Sequence, residues 1–231
     1  VGDDFPIILR ISAGDMIGGY DIDYMKELIK EIPKGQIDAI NVTGGWHESS
    51  IPQIDMHLPK GGFAYLANQI KQITDLPIIA CNRINDIETI QNILSKEMAD
   101  FVGCARAHLA DPNFVNKIKN NIPYVKCIAC NKGCIENILK MNEVQCVMNP
   151  VNDLRDLLKN NSENGKILVI GAGPAGLESG KFLALKGNDI TICTDKGKVG
   201  GLVNLAAIPP GKQDMGALTD SLLYDLKKLN V

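Results

Sequence analysis

The chain has no run of about 18 consecutive apolar residues, the length a membrane-spanning helix needs, so no membrane span is expected. It has no surplus of base. Its 24 Lys and Arg stand against 27 Asp and Glu, a net charge of -3, which argues against nucleic acid or an anionic membrane as partner. From its opening residues no signal peptide is expected. It also lacks an initiator Met: it starts Val1-Gly2-Asp3-Asp4, moves directly into an apolar segment, and stops just after a helical pattern. A fragment of a longer chain is the expectation. Tryptophan occurs once, at Trp46, and histidine only at His47, His57 and His108. What remains is an ordinary globular balance, 45% hydrophobic and 22% charged over 231 residues, enough for one large domain or two smaller ones.

Against that plain background four of the seven cysteines stand out. Cys127, Cys130, Cys134 and Cys146 read C-x2-C-x3-C-x11-C. Thiolates are the donors of iron–sulfur clusters and of zinc. Zinc sites usually pair two tight C-x2-4-C knuckles. Here three ligands are bunched and the fourth follows a helix-length spacer, which suits a [4Fe–4S] cubane better. Zinc, a disulfide pair and inert thiols are the alternatives. A disulfide would need an oxidising compartment, and Cys81, Cys104 and Cys193 make the total odd.

Residues 5–122 alternate strands with helices. The expected strands are Phe5–Ser12, Ile37–Val42, Pro77–Cys81 and Asp100–Gly103, and the expected helices Asp21–Ile32, Tyr65–Ile73, Asp86–Leu94 and Asp111–Lys119. Four β/α units are half of a (β/α)8 barrel. A flavodoxin-like sheet alternates in the same way. The barrel is preferred because polar or glycine-rich stretches follow every strand, at Ser12–Gly19, Thr43–Ser50, Asn82–Asn85 and Cys104–His108. Residues 123–163 carry the cysteines, with a short helix over Ile135–Met141 and a polar linker around 160–165. From 164 the pattern changes: a strand over Lys166–Ile170, the turn Gly171-Ala172-Gly173-Pro174-Ala175-Gly176, a helix over Leu177–Leu185 and a strand over Asp189–Cys193. The fold class expected is therefore α/β: the C-terminal half of a TIM barrel over 1–122, a [4Fe–4S] cysteine module over 123–163, and the start of a Rossmann-like dinucleotide domain over 164–231.

The glycine motif is informative because a strand precedes it and a helix follows. Gly171 permits the tight turn, Gly173 lets backbone approach a pyrophosphate, and Gly176 lets the helix pack on the sheet. The acid that binds ribose hydroxyls should end the second strand. Thr194 occupies that place and Asp195 comes one residue late, with a second glycine pair at Gly200-Gly201. Arg10 ends the first strand, where it can neutralise an anionic flavin or a phosphate or form a rim salt bridge. Arg83 and Arg106 end the last two strands, where barrels cradle phosphate. His47 can donate to a substrate carbonyl or serve structurally. Trp46 packs its loop or touches a ligand. His57 and His108 read as surface or loop residues, and Cys81, Cys104 and Cys193 as core.

In this order these segments resemble the iron–sulfur flavoenzymes of the old yellow enzyme group, which include 2,4-dienoyl-CoA reductase, trimethylamine dehydrogenase, enoate reductase and bile-acid enoate oxidoreductases. The telling segments are LRISAGD around Arg10, GGWHESSIP around His47, CNRINDIET around Arg83, ADFVGCARAHLADP around Arg106, CIACNKGC with Cys146, and GAGPAGLE. The resemblance implies FMN on the barrel, FAD on the following domain, and electrons passing from NAD(P)H through FAD and the cluster to FMN and substrate. It places Arg10 against the pyrimidine edge of FMN, with Asn82, Arg83, Ala105 and Arg106 about its phosphate. FAD would contact Gly171, Gly173, Ala175, Gly176, Thr194, Asp195, Gly201 and Leu202. The Trp46-His47 pair matches the dienoyl-CoA reductase branch, in which the histidine acts beside a tyrosine in the other half of the barrel. An NAD(P)H-dependent, cytoplasmic ene-reductase acting on an unsaturated acyl-CoA, enone or enoate is implied. An amine dehydrogenase or a non-catalytic electron-transfer fragment is the alternative.

Overall fold

The computed structural model describes residues 2, 5–16, 18–33, 35–45, 49, 56–150, 165–195 and 197–231. The chain divides into two compact units, 1–106 and 107–231. Among the described residues no helix is long and apolar enough to cross a membrane.

The first unit is an α/β wall. Four strands, β1 (Ile8–Ser12), β2 (Ala39–Thr43), β3 (Ile78–Ala80) and β4 (Phe101–Val102), pair in parallel in the order β1-β2-β3-β4. Helices α1 (Ile22–Lys30), α2 (Ala64–Lys71) and α3 (Ile87–Ser95) connect them. A doubly wound sheet reverses its strand order at a switch point. A sequential order is that of a barrel wall, so the arrangement is barrel-like, as half of a TIM barrel should be. The register sets Arg10 beside Asn41, and Asn41 beside Ile79.

Alternation along the strands makes two faces. Ile11, Ile40, Val42, Ile78 and Ala80 are buried with Met25 and Ile29 of α1, Leu66 and Ile70 of α2, and Ile93 of α3. Each fully buried aliphatic side chain stabilises by roughly 1.5–3 kcal/mol relative to exposure. The residues between them, Arg10, Ser12, Asn41 and Cys81, belong to the opposite face, which carries the polar chemistry. Two carboxylates start helices. Asp21 accepts from the N–H groups of Asp23 and Tyr24 at 3.1 and 3.0 Å. Asp86 accepts from Thr89 N at 2.8 Å. Such caps contribute about 1 kcal/mol each.

The expected elements are present with shifted ends. The first strand begins at Ile8 rather than Phe5, and Phe5 is exposed. The expected helix 111–119 is α5 (Phe114–Lys119), which starts three residues late, and a further short helix, α4 (Ala105–Ala110), precedes it. Asp111 breaks them apart, because Pro112 disfavours helical backbone at the residue before it. The Asp111 carboxylate instead accepts from Asn113 N, Val125 N and Lys117 Nζ. The stretch after β4, expected as a loop, is thus largely α4.

In the second unit Phe114 is fully buried, with the rings of His108 and Tyr124 edge-on at 5.5 and 5.1 Å. A short helix α6 (Ile135–Leu139) lies within the cysteine segment. Beyond 165 come β5 (Lys166–Ile170), α7 (Pro174–Leu185) and β6 (Asp189–Cys193), with the strands parallel, then α8 (Val203–Ala206) and α9 (Gly216–Lys228). Helix α7 starts three residues earlier than expected. Pro174 opens it, as a preset φ and a missing N–H allow at a first helical position. Ala172, Leu177, Leu222 and Leu226 form this unit's core. Cys193, expected in the core, is exposed. Ile190 and Ile192 take the covered face of β6, which turns Cys193 to the other.

Candidate functional site

Across the middle of β1 and β2 and past the end of β3 a polar network replaces apolar packing. Arg10 Nη1 donates to Asn41 Oδ1 at 2.7 Å and lies 3.8 Å from Cys81 Sγ. Cys81 Sγ contacts Val42 O at 3.0 Å and Asn82 Oδ1 at 2.9 Å. Thr43 Oγ1 donates to the same Asn82 oxygen at 3.0 Å. Burial pushes the Cys81 thiol up, and the nearby Arg10 cation with the bonds from Thr43 and Arg10 only partly offsets it. The sulfur is therefore a protonated, neutral thiol at neutral pH.

The chain then turns sharply. Asn82 and Arg83 hold φ of 78° and 49°, a left-handed pair rare outside glycine. At this turn Arg83 Nη1 donates to the carbonyl of Met56, in the segment between β2 and α2. Arg83 O accepts from Gly61 N at 3.1 Å. Arg83 is buried, and its Nε has no partner among the described residues. Ala105 is exposed and Arg106 half-buried on the first turn of α4. Beside them Cys104 is pushed up to about 11 by burial. Trp46, His47 and Glu48 lie outside the described residues, so the expected catalytic residue has no geometry here. The loops that flank it are tied together, with Gly45 N donating to Gly14 O at 2.8 Å.

The four spaced cysteines form a second locus. All four are half-buried thiols. Burial raises the Cys146 thiol most; Met148 N–H opposes this, and Cys127, Cys130 and Cys134 raise it further through their charge. Sequence positions 127 and 146 are thus within electrostatic reach. Gly133 makes this possible: Gln145 N donates to Gly133 O at 2.7 Å. Ala129 and Asn131, with φ of 51° and 60°, turn the loop between the first three cysteines. Among the described residues no three or more His, Cys, Asp or Glu are arranged to hold a metal ion.

The third locus is the glycine turn. Gly171 has φ of 107°. A Cβ on Gly176 would stand 1.8 Å from Gly171 O, so only glycine fits there. Gly173 is the residue before α7, and no side chain caps that helix start. Its first N–H groups are the kind that receive a phosphate. The second glycine pair comes back to the first: Gly200 N donates to Ala172 O at 2.8 Å, and a Cβ on Gly201 would lie 3.1 Å from Gly173 Cα. Ala175, Thr194, Asp195 and Leu202 are exposed about this turn and the end of β6.

Asn41 and Gly133 went unnoticed in the sequence. The one signal for Asn41 was a lone amide inside the apolar strand Ala39–Thr43. Nothing in the sequence pointed to Gly133.

Residues 1–124 match the NADH:flavin oxidoreductase / NADH oxidase family. The whole chain aligns with a metal reductase of Desulforamulus reducens at 42% identity, covering 35% of that protein. It aligns in full with an NADH oxidase of Thermoanaerobacter brockii at 30% identity, covering 37% of it. Among solved structures, 2-naphthoyl-CoA reductase in complex with 2-naphthoyl-CoA superimposes on the entire chain with a TM-score of 0.88 and 29% identity, over 36% of its own chain. The chain thus spans little more than a third of each of these relatives. With more than half of its residues matched, the chain belongs to the NADH:flavin oxidoreductase / NADH oxidase family.

Proposed function

We propose that this chain is part of a longer, cytoplasmic NAD(P)H-dependent flavoenzyme that reduces a C=C bond activated by an adjoining carbonyl. The observation that carries the reading is Arg10, a guanidinium anchored by neutral groups on the polar face of a barrel-like wall. The likeness to a reductase bound to 2-naphthoyl-CoA supports an unsaturated acyl thioester, enone or enoate as substrate.

The residue types present are those that the cofactors implied by the resemblance would use. Arg10 offers a cation to a flavin ring edge, and the unpartnered Nε of Arg83 offers a buried donor toward a phosphate. Asn82, Ala105 and Arg106 complete that mouth. Cys127, Cys130, Cys134 and Cys146 are an all-cysteine set, whose thiolates are the donors a [4Fe–4S] cluster takes. Gly171, Gly173, Gly176 and Gly201 leave backbone open for the pyrophosphate of FAD, with Ala175, Thr194, Asp195 and Leu202 at its edge. When bound, FMN would supply hydride, with FAD and the cluster relaying electrons from NAD(P)H. His47 would donate a hydrogen bond to the substrate carbonyl as negative charge builds on its oxygen.

Full-length protein prepared without oxygen should contain FMN, FAD, and about four irons and four sulfides per chain. NAD(P)H should reduce it, and an enone or enoyl thioester should reoxidise it. His47→Ala should slow that reoxidation by about 10²–10³. Enones that never reoxidise wild-type protein, together with an amine that reduces it, would replace this reading with an amine dehydrogenase. The 42% identity to a metal reductase favours a second acceptor, an oxidised metal ion, to be tested in the same reoxidation assay.

A further inference from the structure

We infer that Asn41 is a positioning residue that holds the Arg10 guanidinium in place while leaving its charge uncompensated for an electron-rich ring edge. The inference rests on the reading of Arg10 as the cation beside the flavin.

Arg10 and Asn41 are register partners on β1 and β2. Leu9 and Ile11 pack on the apolar core, so alternation sends Arg10 to the other face with Asn41. The contact between them is short, 2.7 Å from Nη1 to Oδ1. Its direction is determined: the reverse amide orientation would set two donors against each other. Sulfur of Cys81 lies 3.8 Å from the same Nη1 and 3.5 Å from Asn41 Oδ1. Both anchors are neutral. Burial keeps the Cys81 thiol protonated. Among the described residues no carboxylate pairs with Arg10.

That combination is selective. A carboxylate at 41 would hold the guanidinium at least as firmly, but as an ion pair whose net charge is near zero. An amide fixes orientation and leaves the positive charge to act on whatever lies beyond it. Gly103, just after β4, keeps this space open. A Cβ there would touch Cys81 Cβ at 3.4 Å, and Asn41 Nδ2 and Ile79 Cγ2 at 3.7 Å, so glycine leaves no side chain over the pair. The ligand group matched to such a site gains negative charge during turnover, as a reduced flavin ring does at its pyrimidine edge.

The test uses full-length, flavin-loaded protein and measures FMN affinity in both oxidation states along with the flavin midpoint potential. Asn41→Asp should weaken binding of reduced FMN about tenfold relative to oxidised FMN, a fall of about 30 mV for a two-electron couple. Asn41→Ala adds no charge and should give a smaller fall. In an Arg10→Ala background Asn41→Asp should give no further shift, because the charge it cancels is gone. A merely structural role would weaken both oxidation states alike and leave the potential unmoved. An unchanged potential in both Asn41 variants, or a shift that persists without Arg10, overturns the inference while the flavin reading stands. Wild-type protein that holds no flavin overturns both.

Discussion

Gly133 and Gln145 are packed backbone to backbone, so that a Cβ on Gly133 would stand 2.6 Å from the Gln145 carbonyl oxygen and 2.9 Å from its carbon. Neither atom can swing aside as the end of a flexible side chain can. The 2.7 Å bond from Gln145 N to Gly133 O would have to break. Gly133→Ala should therefore pull Cys146 away from the other three thiols. The expected loss is about 1–3 kcal/mol of stability, the usual cost of overpacking. If the four thiols hold the proposed cluster, its content should fall with it, read as iron and sulfide per chain. A Gly133→Ala protein with full iron content and unchanged melting temperature would refute this account of the loop.

The thiols should also separate by reactivity. Cys193 is exposed, whereas Cys81 is buried and raised, and Cys104 is pushed up to about 11. Only the thiolate reacts, so about one Cys104 in a thousand is competent at pH 8. Iodoacetamide should modify Cys193 first. Cys104 labelling should climb about tenfold per pH unit from pH 8 toward pH 11. Peptide mapping after timed labelling reads both. Cys104 reacting as fast as Cys193 at pH 8 would contradict the burial that raises it.

How much of this was legible beforehand varied with what controls each feature. The turn Gly171–Gly176 and strands β5 and β6 are dictated by local backbone needs, and both strands lie where the pattern put them. Apolar runs located β1 to β4 but not their ends, since pairing with neighbours decides where a ladder stops. The helix expected over 111–119 is present but starts at Phe114, because Asp111-Pro112 is a boundary that helical periodicity alone does not show. Asn41 could not be singled out, because its meaning depends on Arg10, 31 residues earlier, being its register partner. The spacing of the cysteines suggested a shared centre, yet among the described residues they are not arranged to hold a metal ion. The close approach of Gly133 to Gln145 was not legible, because it is a contact between two backbones.

Asp86 ties a helix start to a buried ion pair. Its carboxylate caps α3 through Thr89 N and binds Lys60 Nζ at 2.5 Å. Burial alone would raise this acid, but the bonds from Lys60 and Thr89 and the lysine charge outweigh it, and the carboxyl lies below its ordinary value. A depressed folded value means that the stabilisation is present above about pH 3.9, the unfolded value, and is lost as pH falls through the folded one. Asn keeps the cap but removes the charge. Asp86→Asn should cost about 1.5–3 kcal/mol at pH 7, the worth of a charged hydrogen bond. The gap from wild type should shrink below about pH 4. Urea unfolding at a series of pH values measures it; a gap independent of pH would show that Lys60 contributes nothing through charge.

The glycine turn permits the sharpest separation of folding from binding. Gly176→Ala would bring a Cβ to 1.8 Å from Gly171 O, which forces β5 and α7 apart. Gly173 has open space around it, with nothing within 4 Å of an added Cβ and an extended φ of -82°. Gly173→Ala should therefore leave the fold intact and obstruct only what approaches from outside. If a pyrophosphate lies against this turn, Gly173→Ala should lose FAD while retaining wild-type thermal stability. Gly176→Ala should lose both. Flavin content by chromatography after denaturation, set beside melting temperature, distinguishes the two effects. Gly173→Ala that keeps its FAD would remove the dinucleotide from this turn, whatever Gly176→Ala does.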